Sequence, residues 1–433
     1  MASQGEKGEL HKKIDQLEKE NRRLRVLLDV ANSLQAELEL DKLLFKIMEE
    51  VAEILDADRC TVFLYDKERN ELWSLVAMGL QKGEEIRFPA DKGIAGHVAQ
   101  TGEILNIPDA YQDPRFNPEI DKKTGYRTRS ILTMPLYNKM HEIIGVFQIL
   151  NKRNGPFTKD DENLLAAISQ IAATAIENAQ LYDEQVKSLD SFIETLSATL
   201  DTRDYITAGH SRRVTEYTLA LADAMGVDEE FKRQLRYAGL LHDIGKLKIP
   251  ESVLFKADKL TPEEFEIIKL HPQVTREILS KIHFQRKLKD VPEIAATHHE
   301  RLDGTGYPEG LKGEEIPFGG RMICLVDVFD ALTSERQYRD RAPLEKVWDI
   351  VEKETGTTFD PRCVEAFKTI PAGRIIEIME HQRQEDFNQA EIERLYQVPI
   401  IDIIEIKRKA PESRTPQESE ILETFDKYYW RDY

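Results

Sequence analysis

From Lys159 to about Leu200 the chain contains neither proline nor glycine. Apolar residues return there at helical spacing: Leu164, Leu165, Ile168, Ile171, Ile176, Leu181, Val186, Leu189, Phe192 and Leu196. A periodic run longer than ~25 residues without caps predicts a long connecting helix or a coiled coil. Such a helix would join the segments on either side of it, and it could carry a shift or a rotation between them. At ~150 residues per domain, the 433 residues are expected to form two or three domains.

Residues 8–38 read as an N-terminal coiled-coil helix. Leu10, Ile14, Leu17, Asn21, Leu24 and Leu28 recur in alternating steps of four and three, an a/d seam over about three heptads. Asn21 falls at an a position, where a buried asparagine favours a two-stranded parallel pair. The same pattern also suits an amphipathic helix packed on its own chain. From Glu39 to Tyr182 the pattern is helix (Leu43–Leu55), strand-like runs (Cys60–Tyr65, Glu71–Val76, Ile131–Leu136, Ile143–Leu150) and a closing helix from Lys159. That order predicts an α+β sensor domain over 39–182, followed by a connecting helix over 183–200. Residues 201–371 look mostly helical, with a loop at Asp303–Gly320 that holds six glycines and two prolines. Residues 372–433 are a charged C-terminal extension with one apolar burst, Val398–Ile406.

The formal net charge of -19 argues against a nucleic-acid polymer as partner, because such binding needs a basic stripe. Three cysteines, Cys60, Cys324 and Cys363, cannot form a disulfide framework and suit a reducing cytoplasm. The first residues have no apolar core of a signal peptide, and no apolar run approaches the ~20 residues of a membrane span. A cytoplasmic protein without a membrane span is expected.

Of the ten histidines, six lie in the third region, and five of these come with aspartates. His242 is followed directly by Asp243 after an apolar run, His298 and His299 are adjacent, and His210, His271 and Asp327 complete the set. One buried histidine is usually a satisfied core residue, but this many point to a metal site. Nitrogen and oxygen donors without thiolate suit Fe, Mn, Zn, Co or Ni. Two close metal ions bridged by a carboxylate stabilise the attacking and leaving oxygens of an in-line displacement at phosphorus.

Five runs then carry a resemblance: Ala208-Gly209-His210-Ser211, Leu241-His242-Asp243-Ile244-Gly245-Lys246, Ile267-Ile268-Lys269-Leu270-His271-Pro272, His298-His299-Glu300-Arg301-Leu302-Asp303-Gly304-Thr305-Gly306-Tyr307-Pro308, and Val326-Asp327-Val328-Phe329-Asp330-Ala331-Leu332-Thr333. In these, residues 190–370 closely resemble the HD-GYP family of HD phosphohydrolases. The resemblance implies an all-α metallophosphohydrolase domain that hydrolyses cyclic di-GMP to pGpG and on to GMP. It implies metal ligation by His210, His242, Asp243, His271, His298, His299 and Asp327, with Asp243 as bridging and catalytic carboxylate. It implies two divalent ions, Fe or Mn. Lys246, about one helical turn after Asp243, would reach a phosphate oxygen as a catalytic and substrate-binding residue. Tyr307 would line the substrate pocket, and Arg336 and Arg339 resemble the family's phosphate-contacting pair, a role that guanidinium forks suit. An exposed, salt-bridged helix face is the other reading of the two arginines. One departure matters: where some members carry a metal-ligating glutamate, four residues before His210, this chain has Ile206. Two metals rather than three are therefore expected, which puts the second cleavage in question.

Residues 28–182 resemble a GAF domain, particularly those of cyclic-nucleotide phosphodiesterases and bacterial adenylyl cyclases. The carrying runs are Asp58–Leu64, Lys92–Ala99, Leu105–Tyr111 and Thr124–Arg129, with Asn151-Lys152, Phe157 and Asp161-Glu162. The last set reads as structural support, including a Lys152–Asp161 salt bridge. By position the pocket would be lined by Thr61, Ile94, Ala95, Asp121, Thr124, Thr128 and Gln148, and could hold cyclic AMP or cyclic GMP. A GAF domain that binds another ligand or none, or that only dimerises, is the competing reading. Together the resemblances imply a GAF-gated cyclic di-GMP phosphodiesterase, expected to work as a homodimer through the N-terminal seam and connecting helix. The alternatives are a weakly active signalling adaptor and a hydrolase of 3′,3′-cyclic GMP-AMP.

Overall fold

The computed structural model describes residues 2–35, 37, 39–74, 86–203, 209–256, 258–284, 286–334, 341–380 and 387–430. They divide into two compact units, Met1–Ser188 and Leu189–Tyr433. The division falls inside one 45-residue helix, α5 (Lys159–Arg203), the rod expected from the proline- and glycine-free run.

The first unit is built on a six-stranded antiparallel sheet. Its strands are β1 (Ala57–Asp66), β2 (Glu71–Ser74), β3 (Ile86–Pro89), β4 (Leu105–Ile107), β5 (Ile131–Tyr137) and β6 (Ile143–Lys152), in the order β3-β2-β1-β6-β5-β4. Successive side chains of a strand point to opposite faces. Cys60, Val62 and Leu64 therefore join one core with α2 (Leu40–Ile54) and the start of α5. Phe63, with Val146 opposite it and Ile131, joins the other core beneath α3 (Gly93–Thr101).

The first helix, α1 (Ala2–Gln35), separates two stripes that the sequence pattern superimposes. Val30 and Leu34 are buried, and Val26 and Leu27 pack beside them, against this unit's own core. The a/d seam faces outward, with Leu17 58%, Leu24 56% and Leu28 62% exposed.

The second unit is helical among its described residues. It comprises α6 (His210–Ala224), α7 (Glu229–Leu241), α8 (Glu251–Leu254), α9 (Pro262–Ile268), α10 (His271–Leu279), α11 (Val291–Ala296), α12 (Phe318–Thr333), α13 (Leu344–Glu354) and α14 (Pro361–Lys368). The chain continues through α15 (Ala372–Met379), α16 (Gln389–Leu395), α17 (Ile400–Arg408) and α18 (Pro416–Tyr429). Short helices need strong starts: Asp228 caps α7, and Thr261 forms a capping box with Glu264 on α9. The glycine-rich loop ends sooner than its composition suggests. Gly319 and Gly320 lie in the first turn of α12, and a Cβ on Gly320 would come within 2.2 Å of the Thr297 hydroxyl. These glycines permit close packing of α12 on α11, not a turn.

The residues after Pro371 are part of the same core. Ile375, Ile376, Ile403, Ile404, Phe425 and Tyr429 are buried with Tyr217, Phe329 and Trp348. An internal repeat organises them. Ile370-Pro371 and Val398-Pro399 each precede a helix that carries Ile-Ile-Glu-Ile. The two segments exchange hydrogen bonds reciprocally, Ala372 N–H to Val398 C=O and Ile400 N–H to Ile370 C=O, each 2.8 Å. No described helix is long and apolar enough to cross a membrane.

Candidate metal centre

The ends of several helices meet in the second unit. His210 opens α6, His242 and Asp243 follow the last turn of α7, His271 opens α10, and His298 and His299 follow α11. Asp327 projects from the middle of α12. Helix ends fixed by buried apolar turns hold such side chains rigidly. The tightest junction is at Gly245, where an added Cβ would lie 1.9 Å from the His271 carbonyl oxygen. Only glycine lets the turn Ile244–Lys248 lie on α10 this closely. Gly245 N–H donates to Thr275 Oγ1 at 3.0 Å, and that hydroxyl donates to the His242 carbonyl at 2.9 Å.

The seven side chains form three overlapping donor groups: His210, His242 and Asp327; His242, Asp243 and His298; His271, His298 and His299. Within each group the donor atoms lie within 4.8 Å of one another. Asp243 stands between the outer groups. Its Oδ2 is 3.3 Å from His242 Nε2 and 3.9 Å from His210 Nε2, and its Oδ1 is 3.4 Å from His271 Nε2. Lys246 Nζ lies 2.7 Å from Asp243 Oδ2. His210 Nε2 is 3.1 Å from Asp327 Oδ1, and His299 Nδ1 is 3.9 Å from Asp327 Oδ2.

The far nitrogens reveal what the near ones need. His242, His271 and His298 each place Nδ1 2.7 Å from a carbonyl oxygen three residues earlier, those of Gly239, Ile268 and Ala295. A carbonyl only accepts, so each Nδ1 carries the proton and a neutral ring leaves Nε2 as a bare lone pair. Burial pushes His271 down to about 4 and His298 well below the ordinary range, so these rings are neutral. Yet His271 Nε2 and His298 Nε2 face each other at 3.3 Å. Two facing lone pairs repel unless a cation lies among them. His242 Nε2 is likewise buried without a hydrogen-bond partner. The donor set therefore fits divalent cations held by nitrogen and oxygen.

The acidic side behaves differently. Burial opposes charge on His210, but Asp327 and Asp330 outweigh it and bring its pKa up to about 9. Asp327 and Asp243 resist burial and stay well below the carboxylate range, Asp327 through His210 and Asp243 through Lys246 and His242. Both remain ionised and available to a cation.

Tyr307 packs against His299, the rings tilted by 35° with centroids 4.8 Å apart. Its loop is fastened by Glu300, a buried carboxylate that accepts the N–H groups of Glu309 (2.7 Å), Gly310 (3.2 Å) and Leu311 (3.0 Å). Arg336, Arg339 and Ile206 lie outside the described residues. The sequence alone assigns no role to Glu300, Asp330 or Arg213. Asp330 accepts from His210 Nδ1 at 2.7 Å and is forked by Arg213. Its signal is spacing, since Asp330 follows Asp327, and Arg213 follows His210, by one helical turn. Glu300 owes its role to a loop fold that local spacing does not encode.

In the first unit, Thr61 pairs with Gln148, and Gln148 with Thr133, across three strands. This polar row lies on the sheet face covered by α3, where Ile94 and Ala95 are buried. The Thr133 hydroxyl is buried without a hydrogen-bond partner. Asp121 is already engaged: its carboxylate accepts from Thr128 N–H (2.7 Å), Thr128 Oγ1 (2.8 Å) and Tyr111 Oη (3.0 Å). The Thr124 side chain is outside the described residues. Lys152 Nζ and Asp161 Oδ1 are 2.7 Å apart, the pair expected as support.

Family models match in both units: a GAF domain over residues 39–176 and an HD domain over 194–363. A protein of Thermotoga maritima named cyclic di-GMP phosphodiesterase is 39% identical over 207 residues, 48% of this chain and 56% of that protein. A Vibrio cholerae protein named 3'3'-cGAMP-specific phosphodiesterase 3 is 39% identical over 180 residues, 42% of this chain and 38% of the other. A Takifugu rubripes protein named dual 3',5'-cyclic-AMP and -GMP phosphodiesterase 11A is 40% identical over 185 residues, 40% of this chain and 20% of the other. The chain thus spans about half or less of the length of these relatives.

Proposed function

The chain carries a GAF domain followed by an HD domain, and from this premise we propose that it is a metal-dependent phosphodiesterase of cyclic di-GMP. The observation that carries the reading is Asp243, whose two oxygens face separate histidine groups while Lys246 stands 2.7 Å from one of them. One ion would take His210, His242 and Asp327, the other His271, His298 and His299, with Asp243 shared; Fe or Mn suits these donors. When bound, divalent ions make water a nucleophile near neutral pH and offset charge developing on the phosphoryl oxygens.

The chain's own residues do the rest. Lys246, with Nζ 2.7 Å from Asp243 Oδ2, can donate to a phosphoryl oxygen over the site. The leaving 3′-oxygen takes its proton from water or from Lys246. Tyr307, held against His299, would line the pocket, and Arg336 and Arg339 would contact phosphate. With Ile206 at the sequence position of the family's third-metal glutamate, the centre would hold two ions rather than three, and pGpG would be the main product. The ligand set addresses phosphate rather than base, so 3′,3′-cyclic GMP-AMP is the alternative substrate. The polar row Thr61, Gln148 and Thr133, with Thr128, would receive cyclic AMP or cyclic GMP as regulator. The exposed seam of Leu17, Leu24 and Leu28 would pair with a second copy. The protein is proposed to act in the cytoplasm.

The test is anaerobic purification, metal analysis and chromatography of products from both dinucleotides with Fe(II) or Mn(II). Metal-dependent pGpG, absent in the double variant His242→Ala, Asp243→Ala, is expected. Bound metal with no product from either dinucleotide, with or without cyclic AMP or cyclic GMP, would leave the adaptor reading.

A further inference from the structure

Resting on that metal-dependent reading, we propose that Arg213 and Asp330 form a positioning pair that aims His210. Without them, one of the two metal positions is weakened while the other keeps its affinity.

The inference comes from an asymmetry among the imidazoles. His242, His271 and His298 are steered by main-chain carbonyls, whose place is set by the fold and by no side chain. His210 opens its helix after Gly209, which has left-handed backbone (φ 73°). Its Nδ1 meets a carboxylate instead, Asp330 Oδ2 at 2.7 Å. That carboxylate is in turn gripped by Arg213, through Nε on Oδ1 at 2.7 Å and a terminal guanidinium nitrogen on Oδ2 at 3.0 Å. Asp330 is 1% exposed, so water does not compete for it.

The arrangement repeats in depth. His210 and Asp327 are neighbours in the donor layer, at 3.1 Å. One turn further along their helices, Arg213 and Asp330 are neighbours in the layer beneath. Asp330 accepts from His210 Nδ1 and so fixes the orientation of the ring, and Arg213 fixes Asp330. The His271, His298 and His299 group has no atom in this pair.

A merely structural pair between α6 and α12 would lower stability and leave metal binding alone. The positioning pair makes the opposite demand, and conserved outer partners of metal-bound histidines change metal affinity by about 10–100-fold when removed. The full chain is stripped with chelator and titrated with Mn(II), the free ion being counted by its paramagnetic resonance signal. The unaltered protein is expected to take up two ions. Asp330→Asn, which preserves size and burial, and Arg213→Ala are expected to keep one at unaltered affinity and to weaken the other about 10–100-fold. Thermal unfolding of the metal-free variants reports whether the fold persists. His299→Ala, which strikes the opposite group, is expected to weaken the other ion. Combined with Asp330→Asn it should abolish tight binding.

Two tight ions in both Asp330→Asn and Arg213→Ala, or equal weakening of both positions, would overturn the proposal. A protein that binds no Mn(II) even before substitution would overturn the metal reading itself, and this inference with it. If Arg213→Ala does not fold, Asp330→Asn and Arg213→Lys decide the matter.

Discussion

Replacing Gly245 with alanine puts a methyl carbon 1.9 Å from the His271 carbonyl oxygen and 2.7 Å from the Thr275 amide nitrogen. Both are backbone atoms of α10, one at its first residue and one in its middle, and neither can rotate away. Real contacts of this kind stop near 3.0 Å, so the turn and the helix must part by at least about 1.1 Å. The separation acts on the site because Asp243 is two residues from Gly245 and its Oδ1 is 3.4 Å from His271 Nε2. Parting along that line would stretch the gap to about 4.5 Å, and the 3.0 Å bond to Thr275 would break with it. Overpacking of this kind costs about 1–3 kcal/mol. A displacement near 1 Å in a reacting constellation lowers rate by about 10²-fold. Urea unfolding of the chelated variant and hydrolysis of cyclic di-GMP at saturating Mn(II) measure the two effects. A variant with unaltered urea midpoint and a rate within about twofold of the parent would refute the claim that this junction sets the site geometry.

Further outcomes are expected elsewhere. Glu300→Gln weakens the three N–H bonds that fasten the Tyr307 loop and should destabilise by about 1–3 kcal/mol. It should raise KM while two Mn(II) ions still bind, as steady-state kinetics and metal titration would report. Arg341→Ala strands the buried Glu380 carboxylate that it meets at 3.2 Å, and breaks the bond from its guanidinium to the Tyr429 carbonyl. Loss of one partner of such a buried pair costs about 3–5 kcal/mol, to be read in thermal unfolding. Asp161 is opposed by burial, but Lys152 and Thr158 outweigh this and hold it below the ordinary carboxylate range. Its folded value lies below its unfolded value of ~3.9, so its contribution is present above about pH 4 and fades as pH falls through the folded value. Urea midpoints from pH 6 to pH 2.5 should show Asp161→Asn lacking part of that acid-dependent loss.

The proposed ligands were legible because their chemistry is carried by residue type in short runs, such as His242-Asp243 and His298-His299. Their supports were less so. Asp330 lies in the run that carries Asp327, and Arg213 one turn after His210, yet each acquires its partner only when α6 and α12 pack. The N-terminal helix shows the limit of a period. Val26, Leu27, Val30 and Leu34 lie at helical spacing as well as Leu17, Leu24 and Leu28, and only packing on the first unit's core, α2 included, decides which stripe is covered. The strands β3 and β4 have four and three residues, too few for an alternation to declare itself.

The segment after Pro371 was opaque for a different reason. Its charged surface hides a repeat of Ile-Ile-Glu-Ile after a proline, and each copy is too short to be stable alone. The reciprocal main-chain bonds at Ala372 and Ile400 make the two copies complete one another. They bury Ile375, Ile376, Ile403 and Ile404 beneath Trp348 and Phe367, on the same core that carries α6 and α12. Arg341 and Tyr429 extend this layer, since the Tyr429 hydroxyl bonds the Ala342 carbonyl at 2.5 Å. The two helices that bear His210 and Asp327 are thus backed by a part of the chain whose described residues belong to none of the three donor groups. Their 3.1 Å approach depends on apolar packing as much as on charge.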